Sequence, residues 1–335
     1  MASGQVVIER FHSRVLEGNR AGDPADRCVP IYLPPSYAVD PDRRYPVGFV
    51  LTGFTGRGRM LLNDNPWNPA LDDRMDGLIT RGACEEMILV MPDCFTRYGG
   101  SQYLNSSATG RYMDHVVEEL VPFVDARYRT LPGPAHRGVM GKSSGGYGAL
   151  ALGLLHPEVF GAVACHSGDM CFEYCYRGDV PKALSQIQPA GGLQAWLEAF
   201  EAKRQKKNDD MLTLNILGMA AAYSPNPQAE PFGFDLPCDL ETGAFREDVW
   251  ERWLVLDPLR LLESHADALR SMKLLYLDCG IRDEWSLHHG ARLFTRRLKQ
   301  LGIAHEYEEF DDGHMNVQYR YDVSLPKLAR ALAEG

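Results

Sequence analysis

One stretch of the chain places a serine between closely spaced glycines. Residues 141–145 read G-K-S-S-G, a G-x-S-x-G pattern centred on Ser143. A serine at the tip of a sharp strand-to-helix turn presents its hydroxyl above the sheet edge, and the flanking glycines let the turn close. Apolar residues precede the pattern and an alanine- and leucine-rich helical stretch follows it, so we predict a nucleophilic serine at 143. An ordinary glycine-rich turn is the alternative, and Ser144 is a weaker nucleophile candidate because Lys142 would occupy a glycine position.

A serine nucleophile needs a base within hydrogen-bond reach and a carboxylate that orients the base. Asp283 follows a predicted strand at 273–278, and His314 follows the last predicted strand at 305–310. The sequence therefore predicts Asp283 as the acid and His314 as the base, with Asp278 and Glu284 as alternatives for the acid. Three other histidines are expected to be packed or surface residues: His166, His288 and His289.

Hydrolysis of a carbonyl compound also needs two N–H donors that stabilise the developing negative charge. One donor is expected to be the amide of Ser144, directly after the nucleophile. The second is expected from the loop after the apolar run at 47–51, where Phe54 lies among three glycines. The alternative for this loop is a phosphate-binding turn, but it lacks the G-x-G-x-x-G order and a terminal lysine–serine pair.

The composition excludes several classes of partner. The 335 residues include 35 basic and 45 acidic side chains, a net charge of −10, which argues against nucleic acid and anionic membranes. We find no signal-peptide pattern and no apolar run of about 18 residues, so a cytoplasmic protein is expected. The eight scattered cysteines fit free buried thiols in a reducing compartment, and no metal site is expected. A homo-oligomer remains open.

The hydrophobic pattern predicts one α/β domain over residues 1–335. Apolar runs at 6–11 and 28–33 suggest an antiparallel edge pair, and most later strands are separated by helices. This alternation predicts a mostly parallel sheet of about eight strands with helices on both faces. Residues 170–265 show helical pieces and a proline-rich loop but no strand signal. We therefore expect an inserted helical cap there.

Several stretches together resemble a known family. They are residues 51–55, 100–105, 141–150, 280–284 and 313–314. The chain resembles the esterase D or putative-esterase branch of the α/β-hydrolases, which contains S-formylglutathione hydrolases, feruloyl esterases, siderophore esterases and mycolyltransferases. The resemblance implies an α/β-hydrolase fold and serine hydrolysis of carboxylic esters without a cofactor. It also implies that the Phe54 and Ser144 amides form the oxyanion hole, and that the 100–105 loop with Gln102 lies beside the site.

The leading hypothesis is a serine esterase that acts on a small-molecule ester. Acyl transfer to an acceptor other than water and a catalytically silent binding module are the alternatives. Three aromatic residues are predicted to form the wall of an apolar acyl or aryl pocket: Phe232 and Phe234 in the proline-rich loop, and Trp285 beside the acid. The alternative is that these side chains only pack the cap onto the body.

Overall fold

An eight-stranded sheet organises the molecule, which is described over residues 3–333 of a computed structural model. Its order is β1-β2-β4-β3-β7-β8-β9-β10, and a separate hairpin pairs β5 with β6. The strands are β1 (Gln5–His12), β2 (Asp26–Leu33), β3 (Val47–Leu51), β4 (Ile88–Val90), β5 (Asn105–Ser106), β6 (Gly110–Arg111), β7 (Arg137–Lys142), β8 (Ala162–His166), β9 (Leu274–Gly280) and β10 (Glu306–Phe310).

The sheet is mostly parallel, as predicted. β1 pairs antiparallel with β2, and β2 pairs antiparallel with β4, so the two first strands form the expected edge. The pairs from β4 through β3, β7, β8 and β9 to β10 are all parallel. The carboxyl ends of these strands therefore meet at one edge of the sheet, where loops from several strands build binding sites.

Helices cover both faces of the sheet. They are α1 (Leu71–Thr80), α2 (Tyr112–Asp114), α3 (Val121–Arg127), α4 (Ser144–Leu155), α5 (Phe172–Cys175), α6 (Val180–Ile187), α7 (Leu193–Ala202), α8 (Asn208–Tyr223), α9 (Glu247–Leu254), α10 (Pro258–Arg270), α11 (Leu287–Gln300) and α12 (Tyr321–Ala333). The side chains of α1 and α12 pack with one face of the central strands, whereas α4 and the helices of residues 170–265 share the larger core on the other. Both faces of β3, β7, β8 and β9 are thus buried, which explains why apolar residues predominate in them.

Two proline positions differ from what the sequence predicts, which is a kink at Pro122 within one helix over 111–128 and Pro326 in the first turn of a helix over 324–332. The structure has a π-helical segment, His115–Leu120, between α2 and α3, and Pro122 is the second residue of α3. Because proline lacks an amide hydrogen, it cannot donate a hydrogen bond of the regular α-helical pattern, and the wider turns of the π-helical segment precede it. The last helix begins at Tyr321, so Pro326 lies in its second turn and not in its first.

Residues 170–265 contain helices and no strand of the sheet. Two short helices in this segment, α5 and α6, were not predicted, although α6 buries Val180, Ala183, Leu184 and Ile187 at helical spacing. The last helix of the region, α10, packs against α4 and continues to Arg270, but its backbone is non-helical at His265, the expected end of the region. Within residues 3–333, no helix is both long and apolar enough to cross a membrane.

Candidate active site

Ser143 occupies the turn between β7 and α4. Its backbone is in the left-handed region, with φ 58° and ψ −128°. Such a conformation is unfavourable for a residue with a side chain, and it is characteristic of a serine held in a strand-to-helix turn. The Ser143 amide donates to the His166 carbonyl at 2.9 Å, and the Ser143 carbonyl accepts from Tyr147 N–H at 2.9 Å. The predicted sharp turn is confirmed, and both of its peptide groups are fixed.

The two glycines of the pattern are sterically required. A Cβ on Gly141 would lie 2.5 Å from the carbonyl carbon of Gly145. One on Gly145 would lie 2.3 Å from the Leu51 carbonyl oxygen. These are distances that no side chain tolerates, so the turn packs its backbone directly against itself and against the end of β3. The spacing of the motif thus follows from the geometry that exposes Ser143.

Asp283 and His314 form a hydrogen-bonded pair. His314 Nδ1 lies 2.7 Å from Asp283 Oδ2, and both side chains are buried. Asp283 Oδ1 accepts from the Trp285 amide at 2.9 Å and from the Leu287 amide at 3.4 Å. A carboxylate held in this way favours the tautomer with hydrogen on Nδ1, which leaves Nε2 as a proton acceptor. The structure therefore brings together the acid and the base that the sequence singled out.

The other two candidate acids have different partners. Asp278 contacts the side chain of His166 at 2.8 Å and that of Arg320 at 2.8 Å. Glu284 Oε2 accepts from the backbone amide of His314 at 2.7 Å. Glu284 thus holds the main chain of the histidine, and of the three acids Asp283 is the one hydrogen-bonded to its ring.

The loop after β3 lies against Ser143. A Cβ added to Gly53 would lie 3.3 Å from Ser143 Cβ and 3.9 Å from its Oγ. The amide of the next residue, Phe54, donates no hydrogen bond to any residue of 3–333. The Ser144 amide lies in the first turn of α4, where N–H groups have no partner within the helix. Two unpaired backbone donors therefore flank the serine, as the oxyanion-hole prediction requires.

A buried tyrosine fixes this loop. The Tyr103 hydroxyl donates to the Thr52 carbonyl at 2.7 Å, directly before Gly53. Its ring packs on α4, because a Cβ on Gly148 would lie 2.3 Å from it. The sequence analysis placed the loop with Tyr103 beside the site but assigned this residue no role. The role of Tyr103 is visible only from its hydrogen bond to Thr52, which joins residues far apart in the sequence.

Gln102 belongs to a buried polar cluster. Its Nε2 donates to Asp169 Oδ2 at 3.1 Å and to the Tyr223 hydroxyl at 2.8 Å. Asp169 Oδ2 also accepts from the Tyr176 hydroxyl at 2.7 Å and from Ser144 Oγ at 3.3 Å. The cluster therefore connects the residue after Ser143 to α8 and to the end of α5. Gln102 is 1% exposed, so its side chain is part of the buried cluster and does not line an open surface.

Asp169 is an acidic residue of the site that the sequence analysis missed. Burial raises its pKa, although the hydrogen bonds from Tyr176 and Gln102 oppose the rise. Its position three residues beyond β8 is a signal that could have been used, because loops at this edge carry the site. A carboxyl with a raised pKa beside a nucleophile is typical of functional sites.

The three predicted pocket aromatics lie in different surroundings. The Trp285 ring packs edge-on against His314, with centroids 4.7 Å apart, and it is 43% exposed. Phe234 is buried and packs edge-on against Tyr98 at 5.3 Å, and Phe232 lies 5.9 Å from Phe234. Trp285 is thus at the histidine, whereas the ring contacts of Phe232 and Phe234 fit packing onto the body. A pocket wall from these two residues stays a prediction.

The thiols offer no competing chemistry at the site. All eight cysteines are free, and seven of them are buried. Burial raises the pKa of Cys279, the thiol nearest to Asp283 in the sequence, above its ordinary value. Across residues 3–333, no three His, Cys, Asp or Glu side chains are grouped as a metal site would need.

Comparison with solved structures places the chain in a large structural group. A ferulic acid esterase shares 19% identity with a TM-score of 0.64, covering 99% of this chain and all of that one. An S-formylglutathione hydrolase from Agrobacterium tumefaciens shares 17% identity with a TM-score of 0.59, over 99% and 97% of the two chains. A fluorophosphonate-binding serine hydrolase from Staphylococcus aureus shares 12% identity with a TM-score of 0.60, over 99% and 100%. These similarities establish the α/β-hydrolase fold.

The family assignment comes from the sequence. The profile of the family described as "Putative esterase" matches residues 24–328, which is nearly the whole chain. The match includes the serine turn, the loop after β3 and both members of the Asp283–His314 pair. The chain belongs to this esterase family and is a carboxylic ester hydrolase.

Proposed function

We propose that the chain hydrolyses carboxylic esters through an acyl-enzyme intermediate on Ser143. The observation that carries the proposal is the strained Ser143 at the end of β7, on the same sheet edge as the hydrogen-bonded Asp283–His314 pair. The three residues follow β7, β9 and β10, and these strands end side by side with β8 between the first two. Their order along the chain and the tautomer favoured by Asp283 are those of a serine–histidine–acid mechanism.

In the first step, His314 Nε2 removes the proton from Ser143 Oγ as the oxygen attacks the ester carbonyl. The carbonyl oxygen becomes negatively charged and accepts hydrogen bonds from the Phe54 and Ser144 amides, for which no acceptor is found within residues 3–333. His314 then donates its proton to the departing alcohol, and Asp283 stabilises the imidazolium while the charge exists. Water attacks the acyl-enzyme by the same route and releases the acid.

Ser143→Ala tests the assignment. Loss of the nucleophile should lower kcat for p-nitrophenyl acetate by roughly 10³-fold or more. Ser185→Ala, at an exposed serine whose hydroxyl donates to the Pro181 carbonyl, is the matched control and should keep wild-type turnover. A fluorophosphonate probe should add its mass to the wild-type chain and to Ser185→Ala, but not to Ser143→Ala. Retained turnover in Ser143→Ala would contradict the proposal.

Two alternatives have distinct outcomes in the same experiments. Acyl transfer would appear as an ester product when an alcohol is added, because the acyl-enzyme is shared by both reactions. A silent binding module would show neither turnover nor probe labelling. The unpaired amides beside Ser143 favour turnover, because a binding module has no need for an empty oxyanion hole.

A further inference from the structure

A cavity of about 450 Å³ opens beside the nucleophile turn. Gly53 and Lys142 both line it, and Gly53 is the residue whose added Cβ would lie 3.9 Å from Ser143 Oγ. The cavity therefore adjoins the reacting group. Much of its remaining lining consists of hydrogen-bonding side chains, including Asn63, Asn68 and Gln318. The Gln318 Oε1 atom is buried without a hydrogen-bond partner.

Lys142 is a cation without a partner in this cavity. Its ammonium makes no hydrogen bond or ion pair with any residue of 3–333, although the residue is half-buried. Burial lowers its pKa, and the nearest carboxylates, Asp283, Glu284 and Asp169, only partly offset this effect. Each of these carboxylates already accepts hydrogen bonds from other groups, so none of them is committed to Lys142.

The other charges that line the cavity do not neutralise Lys142. Arg74 is a second cation, but its guanidinium is bonded to Asp322 at 2.7 Å and to Asn68 at 3.0 Å. Asp64 also lines the cavity and forms no ion pair with the part of the chain that is described, but it lies on an exposed loop. Water screens a charge at that position more strongly than it screens Lys142. Of the two cations that line the cavity, Lys142 is therefore the one without an ion-pair partner among residues 3–333.

We infer that this cavity binds a carboxylate of the substrate and that Lys142 is its partner. The substrate class would be carboxylic esters that carry a second, ionised carboxyl group, on either the acyl or the alcohol part. A half-buried, unpaired ammonium gains a charge-assisted hydrogen bond when such an anion enters, and the polar side chains around it can solvate the remaining oxygen. The inference rests on the proposed function, because it assumes that the ester carbonyl lies at Ser143.

Paired substrates test the inference. The p-nitrophenyl hemiglutarate ester is compared with the neutral valerate for the acyl side, and 4-acetoxybenzoate with 4-acetoxybenzamide for the alcohol side. The measured quantity is the ratio of kcat/KM for the anionic ester to that for its neutral partner. Intrinsic reactivity cancels when this ratio is compared between variants. In at least one pair, we expect Lys142→Met to lower the ratio by roughly 10- to 100-fold, the range of a charge-assisted hydrogen bond.

Two further variants separate specific binding from general effects. Lys142→Arg should retain most of the ratio, because it keeps the charge. Lys182→Met removes an exposed lysine paired with Asp179 and should leave the ratio unchanged, which controls for net charge. If Lys142→Met leaves the ratio unchanged in both pairs, even with lower overall rates, the lysine only supports the turn and the inference is wrong.

A binding measurement keeps the inference separate from the proposed mechanism. Calorimetry would compare monomethyl glutarate binding to Ser143→Ala and to the double variant Ser143→Ala/Lys142→Met. Affinity lower by roughly 10- to 100-fold in the double variant supports the carboxylate site even if Ser143 were not the nucleophile. Equal affinities would overturn the site even if Ser143→Ala had abolished turnover as proposed.

Discussion

Replacement of Gly53 by alanine tests whether the reaction takes place between Ser143 and the loop after β3. The backbone of Gly53 is outside the left-handed region, so alanine can adopt it without strain. The new methyl group would lie 3.3 Å from Ser143 Cβ and 3.3 Å from the Lys142 carbonyl oxygen. Both contacts are tight, so the loop and the serine must separate by a few tenths of an ångström.

This displacement determines the expected loss of activity. A misplacement of about 1 Å in an active site costs on the order of 10²-fold in rate, and loss of one oxyanion donor costs about 10²- to 10³-fold. A shift of a few tenths of an ångström, which weakens but keeps the Phe54 donor, should lower kcat by roughly 10-fold. The overpacking should reduce the free energy of unfolding by about 1 kcal/mol, the lower end for one added methyl group. Activity should therefore fall much more than stability.

Alanine substitutions at two other glycines serve as controls for the effects of Gly53→Ala on activity and stability. Gly178→Ala adds a methyl group with nothing within 4 Å and should change neither kcat nor thermal stability. Gly145→Ala places its Cβ 2.3 Å from the Leu51 carbonyl oxygen and should prevent stable folding. Turnover of p-nitrophenyl acetate and thermal unfolding are measured for all three. If Gly53→Ala keeps kcat within about twofold of wild type while it folds normally, the loop after β3 is not the face on which the oxyanion forms.

The remaining predictions concern Glu284 and Asp169, two acids that are not hydrogen-bonded to Ser143. Glu284→Ala removes the acceptor of the His314 amide and should lower kcat by roughly 10-fold with little change in KM. Glu284→Gln keeps an acceptor oxygen and should retain most of the activity. Equal losses of activity in both variants would contradict this positioning role. Burial raises the pKa of Asp169, so the folded state favours the neutral form of its carboxyl group. The ordinary pKa of an aspartate is 3.8, and the folded state therefore loses stability as the pH rises from that value through the raised pKa. Denaturant titrations between pH 4 and neutral pH should therefore show Asp169→Asn gaining stability relative to wild type as the pH rises, and a pH-independent difference would refute the argument.

The architecture could be predicted because the strands of the sheet have a recognisable local sequence pattern. β3 is a short, uninterrupted apolar run, and β8 and β9 begin with four apolar residues each, since helices cover both faces of these strands. The antiparallel edge pair was predictable from the turn-rich connection between β1 and β2. Where the prediction failed, local pattern and tertiary packing disagree. The hydrophobic periodicity does not distinguish the π-helical segment before Pro122 from a regular helix, and α5 is a single four-residue turn, too short to show a period.

The site could be predicted only where one residue type must occupy one position in the turn or loop. Ser143 and the glycines beside it are fixed by sterics, and His314 and Asp283 are fixed by their positions after consecutive strands. Asp169 and Tyr103 act through hydrogen bonds to residues elsewhere in the chain, and no spacing rule connects these partners. The sequence likewise does not show that Phe234 packs edge-on against Tyr98, and its role in a pocket wall stays a prediction.

A second serine–histidine–aspartate network shows why residue types alone do not identify a catalytic centre. Ser324 Oγ lies 2.8 Å from His166 Nε2, and His166 Nδ1 lies 2.8 Å from Asp278 Oδ1. This arrangement has the atoms and distances of a catalytic triad, but none of the three residues is more than 1% exposed, so no substrate can reach the hydroxyl. Its contribution lies in the main chain: the His166 carbonyl accepts the Ser143 amide, so the network holds the end of β8 against the serine turn. Asp278 is inside its strand, whereas Asp283 is in the loop beyond it, and this difference of five residues places Asp278 beside His166 and Asp283 beside His314.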